Sequence, residues 1–362
     1  MPALRKPALE RYLKTHFGPE TRLLSYGIIG KESSKGTQKR YGYGTPVKLT
    51  FRIGRRIQSA VLETMKPGPF GHEHMADRAQ AMLWDYDSYG RLPRHVKALD
   101  VGAFDARQTL FSVAKACEYF VLNEWTDGAS YHADLEHLMK GGALRKLDRQ
   151  RTIALARYLA LIHAKKRRDA DLYKRRLREL IGHGECIMGL TDSYPKRCGF
   201  ITGELLRTVE DACNRWRWRL RDKANRLAQV HGDFHPYNVL FRTGTDFAVL
   251  DRSRGEWGEP ADDITAMTIN YLLNSLISRG KLQGPFEVLF RSFWDTYVEA
   301  SHDKEVMETA APFFAFRGLV VASPLWYPNL SIEVRRCLFR FIENVLDVPR
   351  FEPERVNEYC GV

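Results

Sequence analysis

"VHGDFHPYNVLF" (Val230–Phe241) places a histidine, an aspartate and an asparagine in a stretch that is otherwise apolar or aromatic. The turn-like segment RTGTD follows, and a second apolar run (Phe247–Leu250) then leads directly into Asp251. Two apolar runs joined by a short turn predict a pair of strands. We therefore expect two packed strands to hold the polar side chains of the loop and of Asp251 in fixed positions.

Three oxygen-bearing side chains in this region have an informative spacing. Asn238 lies five residues after Asp233, and Asp251 lies thirteen residues after Asn238. Phosphoryl transfer from a nucleotide uses one carboxylate to accept the proton of the acceptor hydroxyl, and an amide oxygen and a second carboxylate to hold Mg²⁺. The pattern therefore indicates a phosphoryl-transfer site.

Two motifs extend this interpretation to a family. HGDFHPYN (231–238) and VLDRSRGEWGEPADD (249–263) resemble the catalytic loop and the metal-binding segment of the aminoglycoside phosphotransferase and choline kinase-like superfamily, which is related to the protein kinases. The resemblance implies an α+β, bilobal, protein-kinase-like fold with a β-rich N-lobe and a mainly helical C-lobe. It also implies an enzyme that uses ATP or GTP with Mg²⁺ to phosphorylate a hydroxyl of a small molecule.

The resemblance assigns roles to single residues. The implied roles are proton acceptance by Asp233, contact with the transferring phosphate by Arg254, magnesium binding by Asn238 and Asp251, and support of the loop by His231 and Asp263. The segment YFVLNEWTDG is similar to the family's interlobe hinge. In that position the backbone of Asn123, Glu124 and Trp125 would bind adenine.

The same resemblance sets the expected domain boundaries. We expect an N-lobe over 1–122, a hinge over 123–129 and a C-lobe over 130–362, with the catalytic loop at 231–238 and the metal segment at 251–263. Within the N-lobe, the pattern predicts strands within 22–30, 45–54 and 58–65 and a helix within 72–90, with further strand candidates at 96–104 and 117–125.

One position departs from the family pattern. A strand lysine normally grips the α- and β-phosphates, but the strand SAVLETM has Glu63 at the expected place. An ion pair between Glu63 and Arg78 could replace the family's usual pair of strand lysine and helix glutamate. Lys66 or Lys48 could then supply the missing cation. An ordinary surface lysine is the alternative interpretation of Lys66.

The glycine-rich stretch from Gly27 to Gly44 is a second candidate for phosphate contact. Ser33 and Ser34 could bind phosphate through their hydroxyl and N–H groups, and a flexible hairpin loop is the alternative. The Glu63 departure also keeps two other functions open. One is a pseudokinase that acts as a nucleotide-binding partner module, and the other is an AMP transferase.

Composition and charge limit the partners, the cellular compartment and the acceptor that we expect for this protein. The formal net charge is +12, but the densest basic run (Lys165–Leu180) has apolar residues at helical spacing, so we interpret its charges as a solvated face and expect no nucleic-acid partner. The six cysteines show no metal or disulfide spacing, which favours the cytoplasm. No apolar run is long enough for a bilayer. Basic residues outnumber acids over 181–230, so we expect a neutral or anionic hydroxylated metabolite as acceptor.

Overall fold

The computed structural model of the chain describes residues 4–29, 44, 46–252 and 254–362. The chain forms two compact units, Met1–Asn123 and Glu124–Val362. Among the described residues, the first unit contains small sheets and two helices and the second is mainly helical, so the predicted α+β class is confirmed. The assignment of 123–129 to a hinge between two lobes stays a prediction.

The first unit is built on a three-stranded antiparallel sheet. The elements are α1 (Lys6–Phe17), β1 (Arg22–Ile28), β2 (Val47–Ile53) and β3 (Arg56–Leu62), and the strand order is β1-β2-β3. Val47, Leu49 and Phe51 are buried at alternate positions of β2, because successive side chains of a strand point to opposite faces. They pack with Leu9 and Leu13 of α1 in a small core.

The rest of the first unit agrees only in part with the sequence pattern. Helix α2 (Met75–Tyr89) is present as predicted, and β4 (Gly102–Phe104) and β5 (Leu110–Ser112) form a two-stranded sheet. The predicted strand at 117–125 is wrong. Phe120, Val121 and Leu122 are exposed, and among the described residues no strand lies beside this segment to complete its backbone hydrogen bonds.

The second unit contains the remaining elements. The strands are β6 (Ala129–Ser130), β7 (Ala228–Gln229), β8 (Val239–Phe241), β9 (Phe247–Val249) and β10 (Trp257–Gly258). The helices are α3 (Tyr131–Met139), α4 (Lys146–His163), α5 (Ala170–Gly182), α6 (Ile187–Ser193), α7 (Gly203–Leu220), α8 (Pro260–Arg279), α9 (Pro285–Ser301), α10 (Val306–Ala322), α11 (Ile332–Asp347) and α12 (Val356–Cys360). Strands β8 and β9 form the predicted antiparallel hairpin, and β7 pairs with β10.

Helices α8 and α10 form the centre of this unit. Both are buried almost along their whole length, and α10 packs against α6, α7, α8 and α11. By contrast, α5 buries Leu172, Leu177, Leu180 and Ile181, as the sequence pattern predicts. The expected solvated basic face is present only in part, because Arg178 is exposed, Lys174 and Arg176 are half-buried and Arg175 is buried. In the part of the chain that the structure describes, no helix has the length and apolar character needed to cross a bilayer.

Candidate active site

The loop 231–238 is held by a buried carboxylate at the start of α8. Asp263 is fully buried, and its two oxygens accept the backbone N–H groups of His231 and Gly232, each at 2.7 Å. His163 Nε2 lies 3.0 Å from the same carboxylate. Burial would raise the pKa of Asp263, but the hydrogen bond and charge of His163 and the N–H bond of His231 outweigh it and lower the pKa. The charged form of Asp263 thus anchors the loop.

The geometry of Gly232 and His231 completes this anchor. Gly232 has φ +88°, a backbone conformation that favours glycine, and a Cβ at this position would lie 3.2 Å from Arg254 Cβ. Nδ1 of His231 accepts the backbone N–H of Asp233 at 3.3 Å. Burial lowers the pKa of His231, so its neutral form can accept this bond.

We expect Asp263→Asn to lower the free energy of unfolding by about 2–4 kcal/mol, because an amide cannot accept all three bonds and leaves a buried donor unpaired. Chemical denaturation followed by circular dichroism measures the change. Asp222→Asn is the matched control, since Asp222 is 87% exposed. A loss for Asp263→Asn as small as that of the control would contradict the anchoring role.

Asp233 is half-buried, and its two carboxylate oxygens have different neighbours. Oδ1 accepts a hydrogen bond from Arg317 Nη1 at 2.5 Å, whereas Oδ2 lies 3.5 Å from His235 Nε2. The backbone carbonyl accepts the N–H of His235 and the side-chain amide of Asn238, both at 3.0 Å. Burial would raise the pKa of Asp233, but the bond with His235 and the charge of Arg317 hold it well below its usual range. The carboxylate is therefore charged and fixed through one oxygen.

The hairpin β8–β9 brings Asn238 and Asp251 to the same end. Val239 pairs with Val249, and the N–H of Leu250 donates to the carbonyl of Asn238 at 2.9 Å. The carboxylate of Asp251 is exposed and forms no ion pair with any described residue. Its backbone has φ +53°, a left-handed conformation that aspartate tolerates better than most residues.

These two side chains fit a magnesium ion as a donor set. The Nδ2 atom of Asn238 is used within the loop, so its Oδ1 atom can bind a cation, and Asp251 adds a carboxylate. Hard oxygen ligands of this kind suit Mg²⁺, which usually takes one or two protein ligands and completes its shell with water and substrate phosphates. Within the described ranges, no group of three or more His, Cys, Asp or Glu side chains suited to a metal occurs.

Arg254 lies near Asp233 but makes no direct bond with it. Its Nη1 atom is 3.5 Å from Cys186 Sγ, and its guanidinium lies 4.8 Å from the centre of the Phe316 ring. The nearest carboxylate paired with it is that of the exposed Glu185, at 4.0 Å. The guanidinium thus keeps donors that could contact phosphate.

The other predicted nucleotide contacts lie elsewhere in the chain. Lys66 is an exposed residue of the first unit, and Ser33 and Ser34 lie outside the described residues. Asn123 ends the first unit, while Glu124 and Trp125 begin the second, and all three are exposed. Trp125 Nε1 donates to Asp127 at 2.9 Å. Their roles in nucleotide binding stay predictions.

The ion pair considered between Glu63 and Arg78 of the first unit is wrong. Glu63 is exposed and follows the last residue of β3. Nη1 of Arg78 instead donates to the backbone carbonyls of His72, Glu73 and His74, at 2.8 to 3.0 Å. No ion pair joins Glu63 and Arg78 among the described residues, because Arg78 is used at the N-terminus of its own helix.

Sequence reasoning missed Arg317, which bonds the carboxylate of Asp233 directly. It is 5% exposed on α10 and bonds Asp233, Asp262 and the carbonyl of Gly232. A signal was present, because Arg317 is the one charge in the apolar stretch FFAFRGLVVA, and a buried charge requires a partner. The pattern could not identify that partner.

Comparisons with solved structures give matches of low identity. A glucosamine kinase is 20% identical over 64% of this chain and 56% of its own, with a TM-score of 0.34. A choline kinase from Cryptosporidium parvum is 10% identical, covering 95% and 87%, with a TM-score of 0.34. An amicoumacin kinase in complex with AMP-PNP and Ca²⁺ is 13% identical, covering 93% and 92%, with a TM-score of 0.39. The chain thus spans little more than half of the glucosamine kinase it matches.

Comparisons of sequence address the family directly. No curated protein matches the chain significantly. The pattern of the phosphotransferase enzyme family (APH) matches residues 92–281, which is more than half of the chain and includes the loop 231–238, Asp251 and Asp263. The chain belongs to the phosphotransferase enzyme family.

Proposed function

We propose that the second unit carries the active site of an enzyme that transfers the γ-phosphoryl group of ATP or GTP to a hydroxyl of a small molecule. The observation that carries the proposal is the arrangement of Asp233, a half-buried charged carboxylate anchored through Oδ1, beside the oxygen pair of Asn238 and Asp251. Phosphoryl transfer needs such placed groups more than it needs a reactive side chain.

Four residues of this chain supply three parts of the reaction. As the acceptor oxygen bonds to the γ-phosphorus, the bond from that phosphorus to the β-phosphate bridging oxygen breaks, and the nucleoside diphosphate leaves. Oδ2 of Asp233 takes the proton of the acceptor hydroxyl. Arg254 balances charge on the transferring group, and Asn238 and Asp251 would hold Mg²⁺, whose chemistry is the neutralisation of phosphate charge.

Charge around Asp233 favours an acceptor that is not a polycation. The carboxylates of Asp233 and Asp262 are balanced by the guanidinium groups of Arg254 and Arg317. A binding site for a polycationic acceptor would have a surplus of acidic groups next to the reacting hydroxyl. We therefore propose a neutral or anionic hydroxylated metabolite as the acceptor.

A panel assay of nucleoside diphosphate release tests this function. The panel contains glucosamine, choline and ethanolamine, together with uncharged sugars, polyols and sugar phosphates, each with MgATP and with MgGTP. We expect acceptor-dependent release of ADP or GDP, with uncharged or anionic acceptors above the cationic ones. The proposal is contradicted if no acceptor raises release above the level of the Asp233→Asn variant.

Two other functions remain to be tested, because Glu63 stands where a lysine is expected and Lys66 is exposed. A pseudokinase would bind nucleotide without turnover, and an AMP transferase would attach a nucleotide rather than a phosphate. Thermal stability with and without MgATP, followed by the mass of any acceptor adduct, separates these outcomes from phosphoryl transfer.

The cysteines bear on where the reaction takes place. All six are free thiols, and four of them are buried. Free thiols persist in a reducing compartment, which is also where nucleoside triphosphates are abundant. We therefore place this activity in the cytoplasm as part of the proposal.

A further inference from the structure

Arg317 forms a bridge between the loop 231–238 and the first turn of α8. Its Nη1 atom donates to Asp233 Oδ1 at 2.5 Å and its Nη2 atom to the carbonyl of Gly232 at 2.9 Å. On the other side, Nε and Nη2 donate to Oδ1 of Asp262 at 3.1 and 2.6 Å. All three nitrogens of the guanidinium are therefore engaged with the site.

The packing of α10 fixes the position of this guanidinium. The next residue, Gly318, lies against α11, and a Cβ there would be 2.7 Å from Ile342 Cγ1. The guanidinium also lies 4.5 Å from the centre of the Phe316 ring, a favourable cation–π distance. Close helix packing and the ring contact leave little freedom to the side chain, which is 5% exposed.

The two oxygens of Asp233 thereby acquire different functions. Oδ1 is held by a charge-assisted bond from a rigid, buried group, and such bonds are roughly twice as strong as neutral ones. Oδ2 has only His235 nearby, at 3.5 Å, and remains free to accept another hydrogen bond. A carboxylate fixed in this way keeps one oxygen in a constant position.

We infer that Arg317 is a positioning residue for the transfer reaction: it anchors Oδ1 of Asp233 against Asp262 and so leaves Oδ2 for the acceptor hydroxyl. This inference rests on the proposed function, because it takes Asp233 as the proton acceptor. The planar fork of arginine is essential to it, since a lysine ammonium cannot bond Asp233, Asp262 and the Gly232 carbonyl in the same geometry.

A purely structural role for Arg317 predicts different kinetics. If Arg317 only tied α10 to α8, its replacement would lower stability and leave the turnover of the folded protein unchanged. Arg335 on α11 provides the matched control. It is 3% exposed, and its guanidinium donates to the carbonyls of Ala322, Tyr327 and Leu330, away from Asp233.

Steady-state kinetics of four variants test the inference. The assay uses MgATP and the panel acceptor that the wild-type protein turns over fastest. The variants are Arg317→Met, Arg317→Lys, Asp262→Asn and Arg335→Met. A misplacement of about 1 Å can lower a rate about 10²-fold, so we expect that loss in kcat for Arg317→Met. Arg317→Lys and Asp262→Asn should lose less. The KM for MgATP should stay within about twofold in all of them, because the nucleotide is bound by other groups. Arg335→Met should keep the kcat of wild type.

The outcomes separate the inference from the function on which it rests. A wild-type kcat in folded Arg317→Met, together with an inactive Asp233→Asn, overturns the inference and leaves the function standing. Wild-type turnover in Asp233→Asn refutes the function and the inference with it. If Arg317→Met does not fold, unchanged kcat in both Arg317→Lys and Asp262→Asn overturns the inference.

A crystal structure of Arg317→Lys gives a measurement that does not depend on activity. We expect the carboxylate of Asp233 to rotate away from its position in the wild-type protein, because an ammonium cannot hold Oδ1 of Asp233, Asp262 and the Gly232 carbonyl in the same geometry. An unmoved carboxylate would overturn the inference, whatever acceptor the enzyme uses.

Discussion

Asp233→Asn is expected to lower kcat by about 10²–10⁴-fold, the contribution typical of a general base. An asparagine has nearly the same shape but cannot take the proton of the acceptor hydroxyl. The loss should appear in kcat, while the KM for MgATP changes little, because Asp233 accepts a proton and does not hold the nucleotide. Steady-state nucleoside diphosphate release with the best panel acceptor measures both constants.

The fold should survive this substitution. Arg317 keeps its bonds to Asp262 and to the carbonyl of Gly232, and the backbone of the loop is held by Asp263. Asp246→Asn is the matched control, since Asp246 is an exposed aspartate paired with Arg242 in the β8–β9 turn. Equal rates for Asp233→Asn and this control would remove Asp233 from the reaction.

Asp251→Ala is expected to abolish the part of nucleotide binding that depends on magnesium. In wild type, MgATP should raise the thermal midpoint more than ATP with EDTA does. A ligand at 100 times its Kd stabilises a protein by about 2.7 kcal/mol. Without the Asp251 carboxylate the two conditions should give equal shifts, because the donor set loses its charged member.

The backbone of Asp251 calls for two controls. Alanine is unfavourable at φ +53°, whereas asparagine tolerates this conformation, so Asp251→Asn removes the charge with less backbone strain. Asp246→Ala removes a charge from the opposite end of the same hairpin. In Asp246→Ala, magnesium should still increase the ATP-induced shift of the thermal midpoint. In Asp251→Asn, magnesium should increase that shift only weakly. An undiminished magnesium effect in Asp251→Ala would rule out this metal site.

The parts of the site that lie close in sequence could be predicted from the sequence. The polar residues of 231–238 and Asp251 are joined by two three-residue strands and a short turn, and their spacing follows from hairpin geometry. Asp263 follows at the start of a helix, where a carboxylate can accept loop N–H groups. Local pattern and short-range hydrogen bonds therefore define this part.

The first unit shows where such patterns fail. The alternation of apolar residues in β2 predicted its strand, because neighbouring strands complete its hydrogen bonds. The equally apolar segment 117–125 forms no strand, because among the described residues no partner strand lies beside it. Apolar composition indicates what can be buried, but pairing decides what becomes a strand.

By itself, the sequence determined the polar motif at 231–238, the hairpin that follows it, the helical character of the second unit and the family to which these features point. Only the tertiary structure decided which distant groups meet Asp233 and Asp263. Arg317 lies 84 residues further along the chain, and His163 lies 100 residues before Asp263. A buried charge in an apolar helix requires a counter-charge, but the packing of α10 on α8 selects which carboxylates provide it.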